Sequence, residues 1–246
     1  MKKSIFILLL LASFAFKAKA QDNMMFNHLS IGPSFGLLDG FGFELATPMG
    51  PYVNLRTGAS FFPYSRTVDG VKVYEKFTNN YVGDTDIDLD IKNNAFKLLF
   101  DIHPSKNSGF RFTVGAYIGN SKFVAAENEE ENPTYAGCYI KLGDKRFGFN
   151  TDGWANAHIK VASFRPYLGL GFGRAVGVKH KSAFNFDLGV QFWGTPKVYG
   201  YDVMTEQFEQ LKDEDIDNVE GKKIFKTLTK ISVCPVVSCR YMFNLF

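Results

Sequence analysis

The chain has 246 residues, of which 46% are hydrophobic and 16% aromatic, and its formal net charge is +3 at pH 7. The first 20 residues supply four of the 28 basic side chains, so the remainder has 24 basic and 25 acidic residues and a net charge of −1. That balance excludes a strongly basic surface, and no nucleic-acid partner is expected. After residue 20, no stretch approaches the roughly 18 consecutive apolar residues of a membrane-spanning helix.

A targeting segment begins the chain. Lys2 and Lys3 begin a basic segment, residues 5–16 are almost entirely apolar, and Ala18-Lys19-Ala20 has the small-x-small pattern that signal peptidase cuts. We therefore predict a cleaved signal peptide over residues 1–20, followed by one domain over residues 21–246. The alternative is an uncleaved N-terminal anchor.

Alternation of apolar residues with polar residues or glycine predicts eight strands. They cover approximately residues 29–37, 41–46, 52–64, 93–102, 110–119, 164–173, 184–193 and 231–245. In the sixth strand, Phe164, Leu168 and Phe172 share an apolar face, and Arg165 and Gly169 lie on the opposite face. Several of these apolar faces match the ~9–11 residues that a tilted strand needs to cross a bilayer. The sequence thus predicts an all-β fold, an eight-stranded antiparallel transmembrane β-barrel.

The lengths of the connectors support this count of eight. Every even-numbered connector is short, at residues 48–51, 104–109 and 177–181, and these are predicted to be periplasmic turns. Three odd-numbered connectors are long, at about residues 65–90, 125–156 and 199–223, and these are predicted to be extracellular loops. Bacterial barrels show the same asymmetry. The first outer connector, residues 38–40, is unusually short, and residues 205–212 are compatible with a helix.

Charge decides which face of the strands meets lipid. An Arg or Lys in the middle of the hydrocarbon costs roughly 2–4 kcal/mol, so the glycine-rich and charged faces must point into the lumen. Glu44 with Arg56, and Asp101 with Arg111, are predicted to pair across turns, and Asp187 with Arg165 diagonally. This network either closes the barrel as a salt-bridged core or lines a narrow, gated path for a small polar solute. Its predicted members are Glu44, Arg56, Lys97, Asp101, Arg111, Arg165, Asp187 and Arg240.

Acidic residues are concentrated in all three long connectors, including Asp213, Asp215 and Asp217 in the last one. An acidic rim of this kind either concentrates cationic solutes, binds divalent ions at the lipopolysaccharide surface, or is simply solvated. Its spacing is not that of an EF-hand. Its predicted members are Asp84, Asp86, Asp88, Asp90, Glu129, Glu130 and Glu131.

Catalysis, cofactors and resident metals are not expected. Cys138, Cys234 and Cys239 form no zinc spacing, and the last two alternate to opposite faces of one strand, so they should not pair. An embedded acyl-hydrolase remains an alternative, for which His158 beside Ser163 or Asp152 is the best candidate arrangement.

The sixth and seventh strands carry a resemblance to a known family. Arg165-Pro-Tyr-Leu-Gly-Leu-Gly-Phe-Gly173, followed by Phe186-Asp-Leu-Gly-Val190 and Gly194-Thr-Pro-Lys-Val198, resembles the CarO-type ornithine-uptake porins. Weaker similarity extends over residues 68–72, the Asp-rich approach to Asn93, and residues 112–118. The resemblance implies an eight-stranded monomer that takes up small, often basic, amino acids. It carries over no catalytic or ligand-binding residue.

Together these observations predict a monomeric barrel in the cell outer membrane, in contact with membrane lipid and lipopolysaccharide. The expected function is passive uptake of small polar or basic solutes such as amino acids. The alternative is a closed structural or surface-interaction barrel that acts through its acidic extracellular loops.

Overall fold

The structure, a computed structural model, describes residues 25–142, 145–176, 181–202, 205–210 and 232–245. The predicted signal peptide and parts of the turn at 177–181 and of the last long connector lie outside these ranges. Within them, no helix has the length and apolar character to cross a membrane. The strands, in chain order, are β1 (Ser30–Gly36), β2 (Gly40–Pro48), β3 (Val53–Phe61), β4 (Pro63–Glu75), β5 (Tyr81–Lys92), β6 (Ala95–Ile102), β7 (Phe110–Gly119), β8 (Lys122–Asn128), β9 (Cys138–Leu142), β10 (Lys145–Gly148), β11 (Asn156–Lys160), β12 (Phe164–Phe172), β13 (Ser182–Phe192), β14 (Lys197–Asp202), β15 (Gln207–Gln210) and β16 (Val233–Asn244).

Eight of these strands close into an antiparallel barrel. Their order around the ring is β1-β16-β13-β12-β7-β6-β3-β2, and β1 closes the ring by pairing with β16. These strands coincide with the eight predicted segments, which confirms the predicted fold class. One predicted boundary was wrong. The third strand was predicted over residues 52–64, but in the structure it ends at Phe61, and Pro63 begins the separate strand β4. Proline, which has no N–H to donate, is common at the first residue of a strand.

Side chains alternate between the two surfaces of the barrel wall. On β12, Leu168, Leu170 and Phe172 are exposed on the outside, while Arg165 and Tyr167 are buried within. The other barrel strands repeat this pattern. An apolar belt therefore surrounds a polar interior, as the charge argument predicts.

The remaining strands form a second sheet, the upper sheet, at the end of the barrel where the long connectors lie. Its order is β10-β9-β4-β5-β8-β11-β14-β15. Strands β4, β5, β8, β11 and β14 each adjoin a barrel strand after a break of one to four residues. The upper sheet thus extends the wall above β3, β6, β7, β12 and β13. Among the described residues, no strand of the upper sheet continues β1 or β2, which are joined at this end by a short turn.

The long connectors are therefore folded rather than irregular. Alternation gives β5 an apolar face of Ile87, Leu89 and Ile91, and such a face orders a strand by burial against its neighbours. The expectation of a helix near residue 205 was wrong for the described part, because Gln207–Gln210 form β15. There, Phe208 stacks on His158 at a ring-centroid distance of 4.8 Å, which favours the extended edge strand.

Candidate functional site

Arg56 occupies the centre of the barrel lumen. Its Nη1 atom lies 3.0 Å from Glu44 Oε2, which is the predicted pair across the β2–β3 turn. Its Nη2 atom lies 3.1 Å from Asp101 Oδ1 on β6. All three side chains are at most 2% exposed. A guanidinium presents five donors in a planar fork, which lets one arginine join carboxylates from several strands.

Asp187 of β13 forms ion pairs with three arginines, on the side of the barrel interior that faces the short turns. It accepts from Arg56 Nη1 at 3.1 Å, from Arg111 Nη2 at 2.7 Å, and from Arg240 Nη1. Arg111 Nε also lies 3.5 Å from Asp101 Oδ1, so the predicted Asp101–Arg111 pair is present. Because these charges are buried, each needs its partners to offset the loss of hydration.

Lys97 forms the next level of the lumen, toward the upper sheet. Its Nζ atom lies 3.0 Å from Asp39 Oδ2 and 3.4 Å from Glu44 Oε1. Asp39 also accepts from the Tyr117 hydroxyl at 3.1 Å and from Gln191 Nε2 at 3.0 Å. Asp39 was not among the predicted lumen residues, because Asp-Gly is a turn signal. The signal that could have found it was the excess of predicted lumen cations over carboxylates.

Arg165 does not pair with Asp187, and this prediction was wrong. Asp187 lies opposite Gly171 on β12, six residues along the strand from Arg165. Arg165 instead donates to Asn93 Oδ1 at 2.6 Å and to the carbonyls of Ala162 and Asn120. It therefore connects three of the five chain breaks between the barrel and the upper sheet.

The glycine-rich face of the β12–β13 hairpin makes room for these large side chains. A Cβ atom on Gly171 would lie 2.6 Å from the guanidinium carbon of Arg111. A Cβ on Gly189 would lie 2.4 Å from the Tyr167 hydroxyl. An eight-stranded barrel is just wide enough for its side chains to fill it, so arginine and tyrosine on one strand require glycine beside them.

We call the set of interlocked charges the lumen network. It contains seven of the eight predicted residues and Asp39, and it spans the interior level by level. Its members are Asp39, Glu44, Arg56, Lys97, Asp101, Arg111, Asp187 and Arg240.

The predicted acidic rim does not surround the entrance to the lumen. Ile91 lines the space above the barrel, so Asp86, Asp88 and Asp90, which alternate with such apolar residues on β5, lie on the opposite, outer face of the upper sheet. Asp88 accepts from the Thr67 hydroxyl at 2.7 Å. The hydrogen bond from Lys92 at 2.7 Å lowers the pKa of Asp90. The other predicted members, all exposed, are Asp84, Glu129, Glu130 and Glu131.

The imidazole of His158 in the upper sheet lies against two aromatic rings. The imidazole stacks on the Tyr199 ring at 5.4 Å and on Phe208, and among the described residues neither ring nitrogen has a hydrogen-bond partner. Burial, with Lys122 and Lys160 nearby, lowers the pKa of His158 to about 4. Among the same residues, no group of three or more His, Cys, Asp or Glu side chains could hold a metal ion.

Comparison with solved structures identifies the architecture. CarO2 of Acinetobacter baumannii superposes with a TM-score of 0.51 and 17% identity, over 90% of this chain and 100% of CarO2. The chain has a CarO-type fold. CarO of the same organism gives a TM-score of 0.49 and 20% identity, over 87% of this chain and 96% of CarO. A major outer membrane protein from Thermus thermophilus gives 0.41 and 14%, over 89% and 98% of the two chains.

Comparisons of sequence found no match for this chain. No family model matches the chain. No curated protein matches it either.

Proposed function

We propose that the protein is a closed, monomeric outer-membrane barrel that acts at the cell surface through its upper sheet. The apolar belt, the asymmetry of the connectors, the CarO-type fold and the predicted signal peptide support the location. The observation that carries the closed state is the lumen network. Because Arg56 contacts carboxylates on three different strands, the space that a solute would cross is filled by protein atoms.

The upper sheet extends beyond the apolar belt and is the surface through which we expect contact with other molecules. At about 3.4 Å per residue, the 12 residues of β5 extend roughly 40 Å. The outer face of this sheet carries the carboxylates of Asp86, Asp88 and Asp90. A cationic surface would complement this face.

A row of lysines supports contact with lipopolysaccharide at the junction of barrel and upper sheet. Lys160 pairs in register with Lys122 on one side and with Lys197 on the other, and Lys92 ends β5 at the same level. This level lies directly above the apolar belt, where the phosphates of lipid A are expected. Ammonium groups there would contact phosphate by charge and by hydrogen bonds.

Uptake of small cationic solutes is the second candidate function. It is favoured by carboxylates at successive levels of the lumen, from Asp39 at the upper end through Glu44 and Asp101 to Asp187. For passage, the arginines would have to leave these carboxylates and the solute would have to replace them. Desolvated charges separate only at a cost of several kcal/mol, which supports the closed state as the resting form.

Swelling of proteoliposomes distinguishes the two functions. We expect vesicles that contain the protein to swell in ornithine, arginine or a neutral sugar of similar size no faster than empty vesicles. Vesicles with a general porin serve as the positive control. Swelling in ornithine and arginine but not in the sugar would overturn the closed barrel and establish uptake.

Surface labelling tests the location and orientation. In a background with serine at positions 138, 234 and 239, Asp84→Cys on the upper sheet should react with a membrane-impermeant maleimide in intact cells. Lys106→Cys, in the exposed turn between β6 and β7, should react only after the outer membrane is broken. Labelling of Lys106→Cys alone in intact cells would reverse the orientation.

A further inference from the structure

A cavity of about 470 Å³ lies between the top of the barrel and the upper sheet. Its floor includes Leu38 of the β1–β2 turn, Trp193 and Cys234, and its wall includes Ile91 and Ile159 of the upper sheet. The volume falls within the range of small-molecule sites, which is roughly 300–1,000 Å³. This cavity is separate from the lumen network below it.

The cavity offers a ligand almost nothing except apolar surface. Its lining side chains are aliphatic or aromatic, apart from the Tyr64 hydroxyl and the Cys234 thiol. The Trp193 indole nitrogen already donates to Gln191 Oε1 at 3.1 Å. The adjacent Arg165, 5.6 Å from the Trp193 ring, uses its donors on Asn93 and on backbone carbonyls. A charged or strongly hydrogen-bonding ligand would be desolvated there without a partner, which excludes amino acids.

The cavity opens toward the outer surface of the barrel. Its lining continues from Cys234, which is buried in the interior, to Val233 and Pro235, whose side chains lie on the exposed outer face of β16. Val233 is opposite Phe192 in register, so this mouth is continuous with the apolar belt.

We propose that this cavity binds the hydrocarbon chain of an amphiphile, with the chain inside and the polar group left at the mouth over β16. A linear alkyl chain matches a lining without polar partners, and a mouth that joins the apolar belt lets the chain enter without crossing water. The chain comes either from a membrane lipid or from a free lipophilic molecule. Only the first source depends on the proposed outer-membrane location; the binding itself does not depend on whether the lumen is closed.

Quenching of Trp193 fluorescence by brominated chains tests the proposal. The protein has two tryptophans, so Trp154→Phe leaves Trp193 as the single reporter. This variant is placed in nanodiscs of phosphatidylcholine brominated on its chains, and separately in unbrominated nanodiscs titrated with 12-bromododecanol. We expect quenching in the first experiment if lipid is the source, and saturable quenching in the second if a free amphiphile binds.

A cavity-filling variant separates binding from general contact with lipid. Ile159→Phe adds volume inside the cavity and should raise the 12-bromododecanol concentration at half-maximal quenching about fourfold, because roughly one methylene of ligand is displaced. Leu168→Phe, on the apolar belt, is the matched control and should leave quenching unchanged. The heat-dependent shift of each variant on gels shows that the barrel has folded. Absence of quenching, or quenching that Ile159→Phe leaves unchanged in folded protein, would overturn the proposal.

Discussion

Arg56 and Asp187 meet across the full width of the barrel, with Arg56 Nη1 at 3.1 Å from Asp187 Oδ2. They are 131 residues apart in the chain, and their strands β3 and β13 are four places apart in the ring of eight. A salt bridge between diametrically opposite strands can form only where the lumen is narrow enough for two side chains to span it. This contact therefore marks the level at which two side chains span the lumen.

Removal of Arg56 should strongly destabilise the barrel. Arg56→Ala leaves Glu44, Asp101 and Asp187 buried with less compensation, and breaking a buried ion pair costs about 3–5 kcal/mol. The midpoint of urea unfolding in lipid vesicles measures this loss. Lys72→Ala, on the exposed part of β4, should stay within about 0.5 kcal/mol of the wild type. Equal stability of Arg56→Ala and wild type would show that the contacts of Arg56 contribute nothing.

The pair across the lumen should also control conductance. In planar bilayers, the wild type should show no steady ionic current. The double variant Arg56→Ala, Asp187→Ala removes both side chains that span the diameter, and it should open a water-filled path with a measurable current. A matched double variant on the upper sheet, Lys72→Ala with Asp84→Ala, removes the same charges and should remain silent. Steady current through the wild type would contradict closure.

Replacing Gly171 should destabilise the barrel, because the Arg111 guanidinium occupies the space beside it. In Gly171→Ala, the new methyl group meets the Arg111 guanidinium, and crowding of this kind costs about 1–3 kcal/mol. The temperature at which the folded band disappears from a gel should fall. Gly109→Ala, where the nearest atom to a new Cβ is 3.8 Å away, should leave that temperature almost unchanged. A shift no larger than that of Gly109→Ala would show that Arg111 can move aside.

His158 should remain uncharged well below neutral pH. Burial lowers its pKa to about 4, so the unfolded chain takes up the proton first as the pH falls. The folded state therefore loses stability from about pH 6.5 down to about pH 4. An NMR titration of the imidazole should give a midpoint near 4, and Lys122→Gln should raise it because one repelling charge is removed. A midpoint at or above 6.5 would contradict the buried placement.

The lysine row should strengthen the interaction with lipopolysaccharide. Purified lipopolysaccharide should stabilise the wild type against urea, and the triple variant Lys122→Gln, Lys160→Gln, Lys197→Gln should lose most of this effect. Each surface contact is worth up to about 1 kcal/mol and weakens with salt. A triple glutamine variant at positions 72, 106 and 141 is the control of equal charge. Equal stabilisation of both variants would show that the row has no special role.

The barrel itself follows from the sequence. Eight alternating segments, the alternation of short and long connectors, and the cost of Arg56, Lys97 or Arg111 in hydrocarbon leave one arrangement with those charges inside. The pairs Glu44–Arg56 and Asp101–Arg111 also followed from the sequence, because a hairpin turn makes residues on either side of it neighbours.

The filling of the lumen and the sheet above it depend instead on contacts that are distant in the chain. The contacts of Asp187 with Arg56, the burial of Asp39, and the separation of Arg165 from the lumen network depend on ring closure, strand stagger and side-chain reach. The upper sheet and its apolar cavity depend on pairing between connectors that are distant in the chain. Local alternation specifies which residues share a face, but which faces meet is decided by packing over the whole molecule.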